Sequence, residues 1–192
     1  MNLLHKLRTW GIGSPTYIQT DLSNYEERLD DIYTSFQSIT NLTNIKLQEY
    51  AARLKTQARS GTAVDQLLAP TYALVKEVVA RQLRLKVFDV QLLAAIPLHE
   101  RKLIEMQTGE GKTLTAVFPA VLNAWLGKGV HILTFNDYLA KRDAEWMKPI
   151  YNFLGLEVGY ITNEQSIAEK KKAYACDVTY ATAKEVGFDF LR

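Results

Sequence analysis

Apolar side chains recur every three or four residues early in the chain, which is the spacing of one face of an α-helix. The stretch SNYEERLDDIYTSFQSI opens with Ser23 and Glu26, whose spacing is that of a capping box, a pair that satisfies free N–H groups at a helix start. The pattern predicts a long amphipathic helix from Ser23. Its apolar face comprises Tyr25, Leu29, Ile32, Phe36 and Ile39.

A second helical stretch follows and is interrupted at Gly61. We predict that a further helix then begins with Thr62 as its cap and Pro70 in its first turn. The chain is therefore predicted to be helical over residues 23–86, preceded by a separate N-terminal segment, residues 1–22. The second stretch carries its apolar positions at Leu47, Tyr50 and Leu54.

The pattern changes after FDVQLLAAIPL, where short apolar runs alternate with segments of helical length. This alternation predicts parallel strands joined by crossover helices, and hence an α/β domain over residues 87–192. We find no linker between the two regions and expect them to pack together. The four runs are LIEM, VHILTF, LEVGYI and DVTYAT.

One loop in the second region, TGEGKT, has the composition of a phosphate-binding loop. Gly109 and Gly111, on either side of Glu110, allow phosphates to approach backbone N–H groups closely. Lys112 places a positive charge near the terminal phosphates, and the hydroxyl of Thr113 can ligate magnesium. The loop predicts ATP and magnesium as cofactors, against the alternative of a glycine turn with a solvated lysine.

Composition and charge narrow the function classes. Hydrophobic residues make up 47% and charged residues 23%, which excludes disordered and collagen-like proteins. The net charge of +2 is too small to indicate a nucleic-acid partner, and none is expected. The single cysteine, Cys176, cannot form an internal disulfide and suits a reducing, cytoplasmic setting. No apolar run reaches 18 residues, so we expect no membrane span.

Several motifs in this order resemble the SecA family, the motor ATPases of bacterial protein export. They are FDVQLL, IEMQTGEGKT, TFNDYLAKRDAEW and GFDFLR, and residues 23–86 resemble that family's N-terminal region. Met106 stands where the commonest P-loop has its first glycine, so the loop is of the helicase-type variant. The resemblance implies a partial RecA-like domain of an ATPase that pushes unfolded preproteins through a membrane translocation channel. It also implies the remaining domains of the motor as partners.

The resemblance assigns roles to individual residues. Gln91 matches the glutamine that reads the adenine edge, a task suited to an amide because it offers both donor and acceptor. Residues 109–113 match the phosphate loop. Asn136 and Asp137 lie in a segment that couples nucleotide state to substrate in related helicases, and they suit an ordinary helix cap equally well. We interpret the neighbouring pair as a surface ion pair, Arg142 and Asp143.

The chain also departs from the family pattern, at Ala94, Ala95, Gln107 and Ala181. These departures indicate a divergent or accessory member. No Asp-Glu pair follows an apolar run, although hydrolysis needs carboxylates that hold magnesium and orient water. We expect the chain to be the first part of a larger motor and to lack turnover by itself. The alternatives are a nucleic-acid helicase-like ATPase and an inert ATP-binding interaction module.

The first twelve residues, MNLLHKLRTWGI, form an amphipathic pattern with a basic side. On a helix the apolar side comprises Leu3, Leu4, Leu7 and Trp10. This pattern predicts weak, reversible attachment to an anionic phospholipid surface, against the alternative that the segment docks on another domain or frays. We therefore expect a cytoplasmic protein that is also peripheral on the inner face of the cytoplasmic membrane.

Overall fold

The computed structural model describes residues 23–191, which form a run of helices followed by a small sheet. The first five helices are α1 Ser23–Ile39, α2 Asn44–Arg59, α3 Val64–Leu83, α4 Asp89–His99 and α5 Lys112–Ala124. There follow β1 Val130–Thr134, α6 Asp137–Phe153, β2 Val158–Tyr160, α7 Ile167–Tyr174, β3 Val178–Thr182 and α8 Ala183–Leu191.

The predicted fold class is confirmed, because helices lead into a parallel α/β sheet of the kind found in part of a RecA-like domain. The amphipathic segment predicted over residues 1–22 lies outside the described residues. The predicted capping box depends on the side chain of Ser23, which the structure does not describe although its backbone begins α1. Within residues 23–191, every helix is too short or too polar to cross a membrane.

The three strands run parallel in the order β1-β3-β2. Val178 in β3 pairs with Val130 on one side and with Val158 on the other. Every residue of β3 is buried, because strands flank both its edges and helices cover the sheet. Three of the four predicted strands are therefore present.

The strand predicted at LIEM is wrong. Residues 103–106 are irregular, and Leu103 is fully exposed. Among the described residues, no strand offers its backbone to this run. A strand needs a neighbour to pair its N–H and C=O groups, so the apolar run alone does not produce one.

The start of α3 also differs from the prediction. The helix begins at Val64, and Pro70 lies well inside it rather than in its first turn. Thr62 does not cap α3, because its N–H donates to the carbonyl of Gln57 at 3.1 Å and closes the end of α2. With Gly61 at φ +93°, this is the Schellman ending of a helix.

One hydrophobic core runs without interruption from α1 to β3, as the absence of a linker predicts. Tyr72 of α3 illustrates the joint between the two regions. Its hydroxyl donates to the carbonyl of Ala95 in α4 at 3.0 Å, and its ring meets Phe118 of α5 edge-on at 5.3 Å. The phosphate-type loop is therefore held by helices from both parts of the chain.

Candidate functional site

The two glycines of the loop serve different purposes. Gly109 and Gly111 adopt φ +90° and +87°, a left-handed conformation that favours glycine. A Cβ on Gly109 would meet nothing within 4 Å, so the backbone there is open to an approaching ligand. A Cβ on Gly111 would lie 2.3 Å from Nε2 of Gln91. The first glycine therefore keeps the approach open, and the second allows the loop to lie against α4.

The backbone of Gln107 holds the loop in shape. Its N–H donates to the Glu110 carboxylate at 2.7 Å, and its carbonyl accepts from the Lys112 amine at 3.0 Å. These bonds use the backbone of residue 107, so they do not depend on which side chain stands there. The departure from the family pattern at Gln107 leaves this part of the loop intact.

The loop leads directly into the start of α5. Gly111 is the residue that precedes the helix, and it has no side chain to cap the first N–H groups. Such N–H groups and the positive end of the helix dipole favour an anion. The exposed Lys112 and the partly buried Thr113 stand in the same turn. The open approach at Gly109, the uncapped helix start, the amine and the hydroxyl fit a nucleotide phosphate chain with its magnesium.

Gln91 lies beneath the loop with both ends of its amide engaged. Its oxygen accepts from the N–H of Phe88 at 3.1 Å, and its Nε2 donates to the carbonyl of Glu110 at 2.9 Å. The side chain is buried. The Gln91 side chain thus caps the start of α4 and also supports the phosphate loop. Reading adenine, the predicted role, would require the amide to exchange or share these partners.

The sequence pointed to no aromatic residue at this site, and the structure has one. Phe88 stands immediately before α4, three residues before Gln91, and the residue is 55% exposed. An exposed ring is a surface on which a base can stack. Its presence in FDVQLL is a weak signal, because most isolated phenylalanines belong to a core.

Asp143 is a second residue of the site, after Phe88, that the sequence did not indicate. Its Oδ2 accepts from the hydroxyl of Thr113 at 3.3 Å. Its Oδ1 accepts from Nε and a terminal nitrogen of Arg142 at 2.9 and 2.6 Å. The predicted ion pair with Arg142 is present, but its placement on the surface is wrong for Asp143, which is only 6% exposed. The available signal is helical spacing, because Ala140, Asp143 and Met147 share the buried face of α6.

Asn136 and Asp137, at the start of α6, are expected from the sequence either to cap the helix or to couple nucleotide state to substrate. Asn136 is the helix cap, because its Oδ1 accepts from the N–H of Leu139 at 2.9 Å. Asp137 instead accepts from the N–H of Asn163 at 2.7 Å and ties α6 to the loop after β2. Capping is confirmed for Asn136, and a coupling role for this segment stays a prediction.

The parallel sheet and the glycine loop at the start of α5 define the chain as an α/β protein of partial RecA-like type. A family model described as the SecA DEAD-like domain matches residues 14–192. The chain belongs to this family, and the resemblance to SecA is confirmed.

Individual relatives agree with the family match. The chain is 44% identical over its whole length to the protein translocase subunit SecA of Rubrobacter xylanophilus, of which it covers 21%. It is 48% identical over 94% of its length to that of Caldicellulosiruptor saccharolyticus, covering 21%. It is 54% identical over 79% of its length to that of Desulforapulum autotrophicum, covering 18%. The chain spans about a fifth of these relatives.

Proposed function

We propose that the chain forms the ATP-binding part of a SecA-type motor, which couples ATP hydrolysis to translocation of preproteins across the cytoplasmic membrane. The supporting observation is the open glycine loop at the uncapped start of α5, with Lys112 and Thr113 in the same turn. Magnesium bound with the nucleotide would neutralise charge on the phosphates. The N–H groups of α5 would hold the phosphates, and the Lys112 amine would leave the Gln107 carbonyl to pair with them.

Gln91 and Phe88 would bind the base. The Gln91 amide offers a donor and an acceptor to the adenine edge, and the exposed Phe88 ring offers a stacking surface. Gln91 also donates to the carbonyl of Glu110, so binding of a base to its amide would change a hydrogen bond that supports the phosphate loop.

The remaining proposals concern partners and place. The relatives are named protein translocase subunits, which supports a membrane translocation channel, an unfolded preprotein and further motor domains as partners. The proposed location is the cytoplasm and the inner face of the cytoplasmic membrane, where an anionic phospholipid surface would attract the basic N-terminal segment.

Calorimetric titration of the chain with ATP and ADP in magnesium tests the site. We expect weak binding that Lys112→Ala reduces by about tenfold or more, because an ion pair to phosphate is lost. Lys128→Ala, at an exposed lysine beyond the far end of α5, is the matched control and should bind as the wild type does. Binding that is unaffected by Lys112→Ala would contradict the assignment. We also expect the wild-type chain to release phosphate from ATP no faster than the Lys112→Ala variant does, because the chain is expected to lack turnover by itself.

A further inference from the structure

Thr113 is held differently from the next threonine of α5. The Thr115 hydroxyl donates to the carbonyl of Gly111 at 3.2 Å, which is the usual partner for threonine within a helix. The Thr113 hydroxyl instead donates to a side chain of another helix, Asp143 of α6. We propose that Asp143 is a positioning residue that orients the Thr113 hydroxyl for magnesium. This inference rests on the proposed nucleotide site.

The hydrogen bond from Thr113 to Asp143 determines which lone pairs of the hydroxyl are free to ligate a metal ion. A threonine hydroxyl has one proton and two lone pairs, and only a lone pair can ligate a cation. A carboxylate without a proton can only accept, so it must take the proton of Thr113 and leave both lone pairs available. Asp143 thereby fixes the one rotation of the hydroxyl that suits a metal ligand.

Arg142 sets which carboxylate oxygen faces Thr113. Two of its three guanidinium nitrogens donate to Oδ1, so Oδ2 is left to accept from the hydroxyl. The Arg142 side chain is 44% exposed, and an ion pair at such a site adds little stability. Its effect here is to hold the orientation of the carboxylate.

Burial keeps this arrangement intact. Asp143 is 6% exposed, so water competes poorly for Oδ2. The contact of 3.3 Å is long for a hydroxyl bond, and such bonds commonly shorten only when the ligand is bound. Because Asp143 lies on α6 and Thr113 on α5, the position of α6 sets the state of the metal ligand.

The test measures the affinity of the chain for a fluorescent ADP analogue in magnesium and in EDTA, and compares the two dissociation constants. Asp143→Asn has the same shape, but Arg142 takes its single oxygen and turns the amide N–H toward Thr113. The hydroxyl must then accept, and one lone pair is lost. We expect the magnesium-dependent gain in affinity to fall roughly tenfold, the lower end of effects seen when a partner of a metal ligand is changed. Affinity in EDTA should stay within about twofold of that of the wild type.

Two further variants separate the causes. Asp143→Ala should behave as Asp143→Asn does, and Glu145→Ala, at an exposed position of the same helix, should leave the gain unchanged. In a Thr113→Val background, Asp143→Asn should not reduce the magnesium-dependent gain in affinity any further, because both changes act on one hydroxyl.

The proposal is overturned if Asp143→Asn and Asp143→Ala keep the full magnesium gain. It is also overturned if the losses of Asp143→Asn and Thr113→Val add, since Asp143 would then act independently of the hydroxyl. Either result leaves the nucleotide site standing. A wild-type chain that binds no ADP in either condition would overturn the proposed function together with this inference. Thermal unfolding of each variant verifies that it is folded.

Discussion

The Nε2 atom of Gln91 occupies the space that a Cβ on Gly111 would need, at a separation of 2.3 Å. That nitrogen also donates to the carbonyl of Glu110, so the loop and the amide fit together only while residue 111 has no side chain. The phosphate loop and Gln91, the residue proposed to bind the base, are therefore in direct contact.

Gly111→Ala should weaken both stability and nucleotide binding. The left-handed backbone at φ +87° costs alanine about 1–2 kcal/mol, and the new methyl group displaces Gln91 from Glu110. Chemical denaturation and ADP titration measure the two effects. Gly61→Ala is the matched control, because Gly61 has φ +93° and open space around it. It should lose only the stability that the left-handed backbone costs and keep full affinity. Equal affinities in the two variants would contradict a role for the contact.

Gln91→Ala should reduce the preference for adenine over guanine nucleotides. Loss of one amide that pairs with the base removes about 1 kcal/mol of discrimination, or roughly fivefold in the ratio of ADP to GDP affinity. Because the amide also supports the loop, both affinities should fall, and the ratio is the informative quantity. Gln107→Ala is the control, since residue 107 acts in the loop through its backbone. An unchanged ratio in Gln91→Ala would assign Gln91 to loop support alone.

Glu100 should make the joint between α1 and α4 sensitive to acid. Burial alone would raise the pKa of Glu100, but hydrogen bonds from Lys102 and Tyr25 and the nearby charges hold the pKa below its ordinary value. A group whose pKa is lowered on folding stabilises the fold above its unfolded pKa, about 4.3 for Glu. That stability is lost as pH falls from there through the folded pKa.

Urea unfolding across pH 3–7 tests this expectation. Glu100→Gln should cost about 1 kcal/mol at pH 7, since Arg28 and Tyr25 of α1 lose a charged acceptor at 2.6 and 3.0 Å. Its stability should also fall less steeply below about pH 5. Glu105→Gln, at an exposed position, is the control and should follow the wild-type curve. A Glu100→Gln curve parallel to that of the wild type would show that Glu100 does not titrate differently on folding.

Lys170 should be the most costly lysine of α7 to remove. Its amine contacts Glu185 at 2.5 Å and Asp189 at 3.3 Å, and all three side chains are at most 15% exposed. Lys170→Ala removes the cation that neutralises both carboxylates and leaves Asp189 with only the hydrogen bond from Tyr174 at 3.1 Å, which costs about 3 kcal/mol. Lys171→Ala, at the exposed neighbour, should change stability by less than about 0.5 kcal/mol. Equal melting temperatures for these two variants would contradict the importance of the triad.

The strands show what local pattern can and cannot predict. VHILTF, LEVGYI and DVTYAT became β1, β2 and β3, because each apolar run meets another to pair with. LIEM has the same character and forms no strand among the described residues, since pairing is a property of two segments. Periodicity likewise predicted α1. It did not predict that Thr62 belongs to the end of α2, because that depends on the hydrogen bond from its N–H back to the carbonyl of Gln57.

At the site, residue type was informative and residue partners were not. The motif identified Gly109 to Thr113 and Gln91 from chemistry and resemblance. It gave no hint that Gln91 bonds to Glu110, or that Asp143 turns inward while its neighbour Arg142 faces solvent. Such contacts join residues 19 and 30 positions apart and depend on how α4, α5 and α6 pack.

The strand order β1-β3-β2 has a consequence for the chain during its synthesis. β3 comes after β1 and β2 in sequence, yet it lies between them and provides both of their pairings. Until residues 178–182 leave the ribosome, β1 and β2 lack the strand that pairs with both of them. Unpaired strand edges of this kind can pair wrongly with other chains. The helices of residues 23–124 meet no such delay, because their backbone bonds are local. The helices of a nascent chain can thus form before the sheet is assembled, and the single core that joins them to β3 is completed only when that last strand pairs.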